Sequence, residues 1–184
     1  MRGLAVVAAV SLALAGCATT YGEIGGWEED GVSADRLTAD TFRIRARGNS
    51  STDPALVQDF AMLRAAETLR AQCFTHFVVV DGADRTEVKE GYTPPQEVTR
   101  VVEKKVDGKL EKVVTKSWTP GSSWVNVRPG QDMIVRGLTG SEVDDAPGAV
   151  AVDEVLAFVG PRVVRRKGET PPAFPDCAAD QPQA

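Results

Sequence analysis

Phe42-Arg43-Ile44-Arg45-Ala46-Arg47 alternates apolar and cationic residues without a break. In an extended chain successive side chains point to opposite faces, so Phe42, Ile44 and Ala46 belong to a core face and three arginines to the other. The arginine triplet invites an anion-binding reading, but an outward strand face is ordinarily charged, and the solvated face is the reading preferred from sequence. Gly48-Asn49-Ser50-Ser51-Thr52 turns the chain. Asp53 before Pro54 then starts a helix, because the carboxylate caps free N–H groups and proline at the first position has no N–H to lose.

The helix is expected over 54–72. Met62, Ala66, Leu69 and Cys73 recur at helical spacing and form the stripe toward a sheet, with Arg64, Glu67 and Thr68 on the opposite side. Arg64 and Glu67, one turn apart, are expected to pair with each other or to hold the Gly48-Asn49 turn. His76-Phe77-Val78-Val79-Val80-Asp81 follows as a short central strand, apolar on both faces. Strand, helix and strand in this order predict a crossover unit whose two strands are parallel neighbours.

Downstream, the Asp107-Gly108 dipeptide between two strand-like runs predicts a two-residue hairpin, since this turn needs positive φ. The turn pairs Val102 with Val113, Val101 with Val114, Glu103 with Lys112 and Lys104 with Glu111. Neither face near the tip is consistently apolar, so the hairpin is expected to project from the sheet. Lys104, Lys105, Asp107, Lys109 and Glu111 at that tip are the candidate partner-contact residues. Ser123 to Arg128 and Met133 to Leu138 are further strands, and Val152 to Val159 reads as a short helix stopped by Gly160-Pro161.

At the other end, Met1-Arg2 precedes an apolar run from Leu4 to Ala15 that is too short to span a bilayer and reads as a signal peptide. Leu14-Ala15-Gly16-Cys17 matches the lipobox of bacterial lipoproteins, which makes Cys17 the diacylglycerol-bearing first residue of the mature chain. Acyl chains on that cysteine then hold the protein on a membrane. Ala18, rather than aspartate, at the next position fits an outer-membrane address facing the periplasm. The boundaries that follow are a signal peptide at 1–16, a lipidated tether at 17–33, a single α+β domain at 34–168 and an irregular tail at 169–184. Within the tether, Tyr21 and Trp27 either pack on the domain or lie near the headgroups.

The chain carries 21 basic and 26 acidic residues. Loss of Arg2 with the signal leaves the mature chain slightly more acidic still, which argues against a nucleic-acid partner. Lipidation leaves Cys73 and Cys177, which in an oxidising compartment either form a disulfide or stand as a buried apolar residue and a free thiol on a loose tail. The one histidine, His76, has no His, Cys, Asp or Glu at ligand spacing, and no phosphate loop, Cys-x-x-Cys or His-Glu-x-x-His motif occurs, so neither a metal nor a cofactor is expected.

Gly25-Gly26-Trp27, Leu37, Phe42-Arg43-Ile44, Gly48-Asn49, Asp59-Phe60-Ala61-Met62-Leu63-Arg64-Ala65-Ala66-Glu67 and Phe77-Val78-Val79-Val80-Asp81 together form a pattern. The pattern resembles a group of uncharacterised proteobacterial lipoproteins, over about residues 21–81. The resemblance implies no activity. Cys73 stands where a glycine commonly ends the helix in that group, which makes it look like a local addition and favours the disulfide.

These readings predict an α+β fold: one long helix packed on a mainly antiparallel sheet, with a β-α-β start, a projecting hairpin and a short C-terminal helix. The function expected is that of a non-catalytic, lipid-anchored periplasmic protein binding an envelope protein or other cell-wall component. The alternative is a periplasmic hydrolase using the carboxylates Asp59, Glu67 and Asp81.

Overall fold

The computed structural model describes residues 18–25, 29–106 and 109–177. The expected signal peptide, Cys17, Trp27 and the Asp107-Gly108 turn lie outside the described residues, as do the side chains of Lys104, Lys109 and Glu111. In chain order the elements are β1 (Gly31–Arg36), β2 (Thr41–Arg47), α1 (Pro54–Arg70), β3 (His76–Asp84), β4 (Glu87–Thr93), β5 (Gln96–Val106), β6 (Lys109–Thr119), β7 (Ser122–Arg128), β8 (Gly130–Leu138), β9 (Val150–Ala151) and α2 (Val152–Phe158). They divide into two compact units, one made of the residues up to Glu87 and from Val127 onward, the other Val88–Asn126.

The first unit holds a five-stranded sheet in the order β1-β2-β8-β3-β9, antiparallel at every junction. Its alternation sets the faces. Phe42 pairs with Val135 and Ile44 with Met133 on the inner face, where they meet Val57, Phe60, Ala61, Leu63 and Leu69 of α1 in one core. Asp53 Oδ1 accepts the Ala55 N–H at 2.7 Å, so the helix starts at the Asp-Pro signal.

Helix α1 ends on Cys73, which has a φ of 63°. The N–H groups of Cys73 and Phe74 donate to the carbonyls of Arg70 and Leu69 at 3.1 and 3.0 Å. This closes the helix with a left-handed residue where glycine is the usual choice.

The expectation of a fold organised by one long helix, with 42–47 and 77–80 as adjacent parallel strands, is corrected by this arrangement. Strands make up 46% of the described residues, against helices of 17 and 7 residues, and they form three separate sheets. Strand β8 lies between β2 and β3 and is antiparallel to both. The physical reason is that β8 alternates as cleanly as β2 does: Met133 and Val135 face the core while Asp132, Ile134 and Arg136 face away. It therefore satisfies both neighbours through antiparallel ladders, slightly the more stable kind of pairing. The buried stripe of α1 also differs from the expected one. Glu67 is buried at 4% exposure while Met62 is only partly so, and Arg64 and Glu67 pair with other partners than each other.

The second unit consists of strand ladders without a core. Strands β5 and β6 pair over their whole length with Val102 opposite Val113, Glu103 opposite Lys112 and Lys104 opposite Glu111, the register that the Asp-Gly turn dictates. Strands β4 and β7 form another two-stranded ladder. The Trp124 ring lies over Gly91, where a Cβ would come within 2.3 Å of it, so glycine is what admits the indole.

Candidate functional site

Two constellations in the first unit stand out, one on each side of the sheet. On the helix side, the Tyr21 hydroxyl donates to Glu67 Oε2 at 2.5 Å, and Arg165 pairs with Glu67 Oε1 while its guanidinium stacks over the Tyr21 ring, 4.9 Å from the centroid. Phe60 meets the same ring edge-on at 5.6 Å. The backbone of Tyr21 bonds to Val164 and Arg166 at 2.8 and 2.7 Å, and Arg64 pairs with Glu23 at 2.6 Å. A segment near the amino terminus, the middle of α1 and the strand-like stretch 164–166 are thus locked by one buried acid. Burial first, and then the charge of Glu67 and the hydrogen bond to it, push the Tyr21 phenol far above its ordinary value. This is a structural lock. Both carboxylate oxygens of Glu67 are engaged, one by Tyr21 and one by Arg165.

The segment read from composition as a tether is therefore held to the body. Tyr21 is buried, and so is Thr19, whose N–H donates to Thr52 Oγ1 and whose hydroxyl accepts the Asn49 N–H, both at 2.9 Å. The Gly48-Asn49 turn is fastened by these threonines and not by Arg64 or Glu67. At Gly31, φ is +126° and a Cβ would meet the Gly22 carbonyl at 2.4 Å. Only glycine lets the segment lie against the start of β1, where Val32 N–H donates to that same carbonyl at 2.8 Å.

The outer face of the sheet carries the second constellation. Arg43, Arg45, Arg47, Asp81, Ala83, Arg85, Asp132, Met133 and Ile134 line a groove of about 390 Å³. A second hollow of about 370 Å³ shares Arg45 and Arg47 and extends to Ile24, Glu29 and Ser33. Arg47 and Arg85 flank Asp132 at 2.7 and 3.3 Å, and Arg45 Nη2 meets Asp35 at 2.6 Å. Among the described residues, the buried Arg45 Nε has no hydrogen-bond partner and exposed Arg43 has no ion pair. Asp81 reaches this face through a β-bulge. Val79 pairs with Val135 on the core side, the register slips at Val80, and Asp81 then sits opposite Ile134 on the outer side.

The sequence singled out the three arginines of β2, whereas Arg85 and Asp132 carry no local signal and enter only through strand order. The carboxylates of the hydrolase alternative do not converge. Asp59 pairs with Arg162 at 2.8 Å, Glu67 is buried in the lock, and Asp81 lies across the sheet from both. Cys73 and Cys177 are joined in a disulfide, Cα to Cα 5.3 Å. His76 Nδ1 lies 3.1 Å from Thr75 Oγ1, and among the described residues no group of three or more His, Cys, Asp or Glu is placed to hold a metal ion. Lys105 is exposed on β5. No helix among the described residues is long and apolar enough to cross a membrane.

No family model matches the chain, and no curated protein and no solved structure matches it.

Proposed function

We propose that this is a lipid-anchored, non-catalytic protein of the bacterial envelope that binds another envelope protein through residues 88–126. Support for the anchor is the signal-like amino terminus ending in Cys17. One observation carries the binding role: among the described residues, the second unit contributes none to the buried core, yet it displays eleven of the seventeen exposed large hydrophobic side chains. Val101 and Val114 face each other at 59% and 58% exposure, with Leu110 and Trp118 on the same face at 72% and 70%. A two-stranded ribbon is marginally stable alone in water, and apolar patches of this kind mark protein contacts. Its unpaired edges suit a partner strand, while the charge pairs across it, such as Lys116 with Glu97 at 2.7 Å, discourage indiscriminate stacking.

The test places a photo-crosslinking residue at Val101 or Val114 in the cell envelope, with Leu37 of the first unit as the control. The expected result is one crosslinked envelope protein from the ribbon positions only. Purified, that protein should bind the wild-type chain but not a chain with Lys104 to Glu111 replaced by Asn-Gly, which should keep its circular dichroism spectrum. If the deletion unfolds the first unit, or the ribbon positions catch nothing that the control does not, the proposal fails.

A further inference from the structure

We propose that the outer face of the β1-β2-β8-β3 sheet is a docking site for the phosphate headgroups of an acidic phospholipid surface, the bilayer into which the Cys17 acyl chains insert; this rests on the lipid-anchor reading. Charge is the first argument. The groove presents the guanidinium groups of Arg43, Arg45, Arg47 and Arg85 against the carboxylates of Asp81 and Asp132, with Asp35 paired to Arg45 on the same face, a local excess of one cation on a chain whose overall charge is −5. An acidic membrane attracts this face, while the net negative charge of the chain opposes unspecific approach.

The availability of donors is the second argument. Asp35 and Asp132 engage Arg45, Arg47 and Arg85 through one nitrogen each, Arg47 Nη1 also donating to the carbonyls of Ala46 and Gln131, and exposed Arg43 has no ion pair among the described residues. Guanidinium forks in this state match phosphate oxygens.

The length of chain at the anchor is the third. Thr19 is buried and fixed to Thr52 and Asn49, so only Ala18 separates Cys17 from the folded body, a reach of at most about 7 Å. Asn49, which holds Thr19, is two residues beyond Arg47, so the arginine row begins at the anchored end of the sheet. Ile24, from the same amino-terminal segment, lines the adjoining hollow with Arg45 and Arg47. A body tied this closely meets the headgroups with whatever surrounds its attachment point. The inner face of the sheet is covered by α1, and the arginines occupy the opposite face of the same sheet.

Binding is measured by sedimentation of the full mature chain carrying Cys17→Ser, so that no acyl chain contributes, with vesicles of phosphatidylcholine alone or with about one-third phosphatidylglycerol. The expected result is binding to the acidic vesicles only, weakened by added salt. Arg43→Gln and Arg85→Gln should each weaken it about fivefold, the effect of one surface cation. Asp81→Asn, a change in the opposite direction, should tighten it by a similar factor, so a variant that merely folds poorly cannot imitate the pattern. Equal binding to both vesicle types, or no response to these three substitutions, overturns the proposal. Arginine-dependent binding of inorganic phosphate or glycerol phosphate without vesicle binding also overturns it, because the groove then takes a soluble ligand. Palmitate labelling of the wild-type chain in cells reports on the anchor separately. A labelled chain whose Cys17→Ser form ignores acidic vesicles sinks the docking site alone, whereas an unlabelled chain sinks the anchor and the docking site together.

Discussion

Replacing Glu67 by alanine is expected to cost about 3–5 kcal/mol of stability, because it strips a partly buried arginine of its counter-ion and a buried phenol of its acceptor. Tyr21 stays buried beside the gap, and Arg165 keeps only the partial exposure it has beside Glu67. For a chain of this size the loss corresponds to a fall in melting temperature of roughly 6–20 °C. A companion double variant, Glu67→Leu with Arg165→Leu, should recover much of it, since replacing both members of a buried pair by apolar residues removes the desolvation cost as well as the attraction.

The Tyr21 phenol adds a pH signature. Its folded value is raised above the ordinary one, so its contribution is fully present below about pH 10, where the unfolded phenol begins to ionise, and is lost as pH rises beyond that. Tyr21→Phe should cost about 2 kcal/mol at neutral pH, the worth of a hydrogen bond to a charged acceptor, and should flatten the alkaline loss. Urea titrations at several pH values measure both effects. A Glu67→Ala protein as stable as wild type would show that the lock is not where the amino-terminal segment gains its hold.

Local signals were readable in this sequence, and long-range ones were not. The alternation of Phe42 to Arg47 placed the right residues inside, Asp53-Pro54 marked the start of α1, and Asp107-Gly108 set the β5–β6 register residue by residue. Each of these depends on neighbours a few positions apart. The insertion of β8 between β2 and β3 depends instead on which strand best covers two edges at once, and alternation fixes a face without fixing a neighbour. The same limit hid the lock. Glu67 looked like a surface acid because helical spacing sets it apart from Met62 and Leu69, and the residues that bury it, Tyr21 and Arg165, lie 46 and 98 positions away. Gly-rich, acidic composition suggested a tether for the same reason, since nothing local shows that Thr19 and Tyr21 have distant partners.

The outer-face groove shows a mixture of the two. Three of its arginines were visible as a strand face, and the sequence alone favoured leaving them in solvent. Asp81 joins them only because a one-residue bulge at Val80 reverses its side, and Arg85 and Asp132 join only because β3 and β8 are neighbours. A charged strand face becomes a candidate site when strand order concentrates it, which is information held by the whole sheet.

Breaking the Cys73–Cys177 disulfide is expected to destabilise the protein by about 2 kcal/mol, less than its loop length alone suggests. The cross-link spans 104 residues, for which the chain-entropy model gives nearly 5 kcal/mol. That figure assumes that the reduced native state holds both cysteines as firmly as the oxidised one. Among the described residues the last backbone hydrogen bond before Cys177 is that of Glu169 to Arg166, and residues 170–176 are exposed apart from half-buried Phe174. Reduction therefore loosens the tail of the folded protein too, and the relevant comparison is between a loop of about 100 residues in the unfolded chain and one of about 8 in the folded chain.

Cys73 supplies an internal control. It occupies the left-handed position that ends α1, which costs a non-glycine residue about 1 kcal/mol. Cys177→Ser leaves that strain in place, whereas Cys73→Gly combined with Cys177→Ser relieves it. The double variant is therefore expected to be about 1 kcal/mol more stable than the single one, although it too lacks the cross-link. Chemical denaturation of the three proteins measures the differences. A Cys177→Ser loss near 5 kcal/mol would mean that the tail is held by more than its sulfur, and a double variant no better than the single one would mean that the helix end relaxes once the bond is gone.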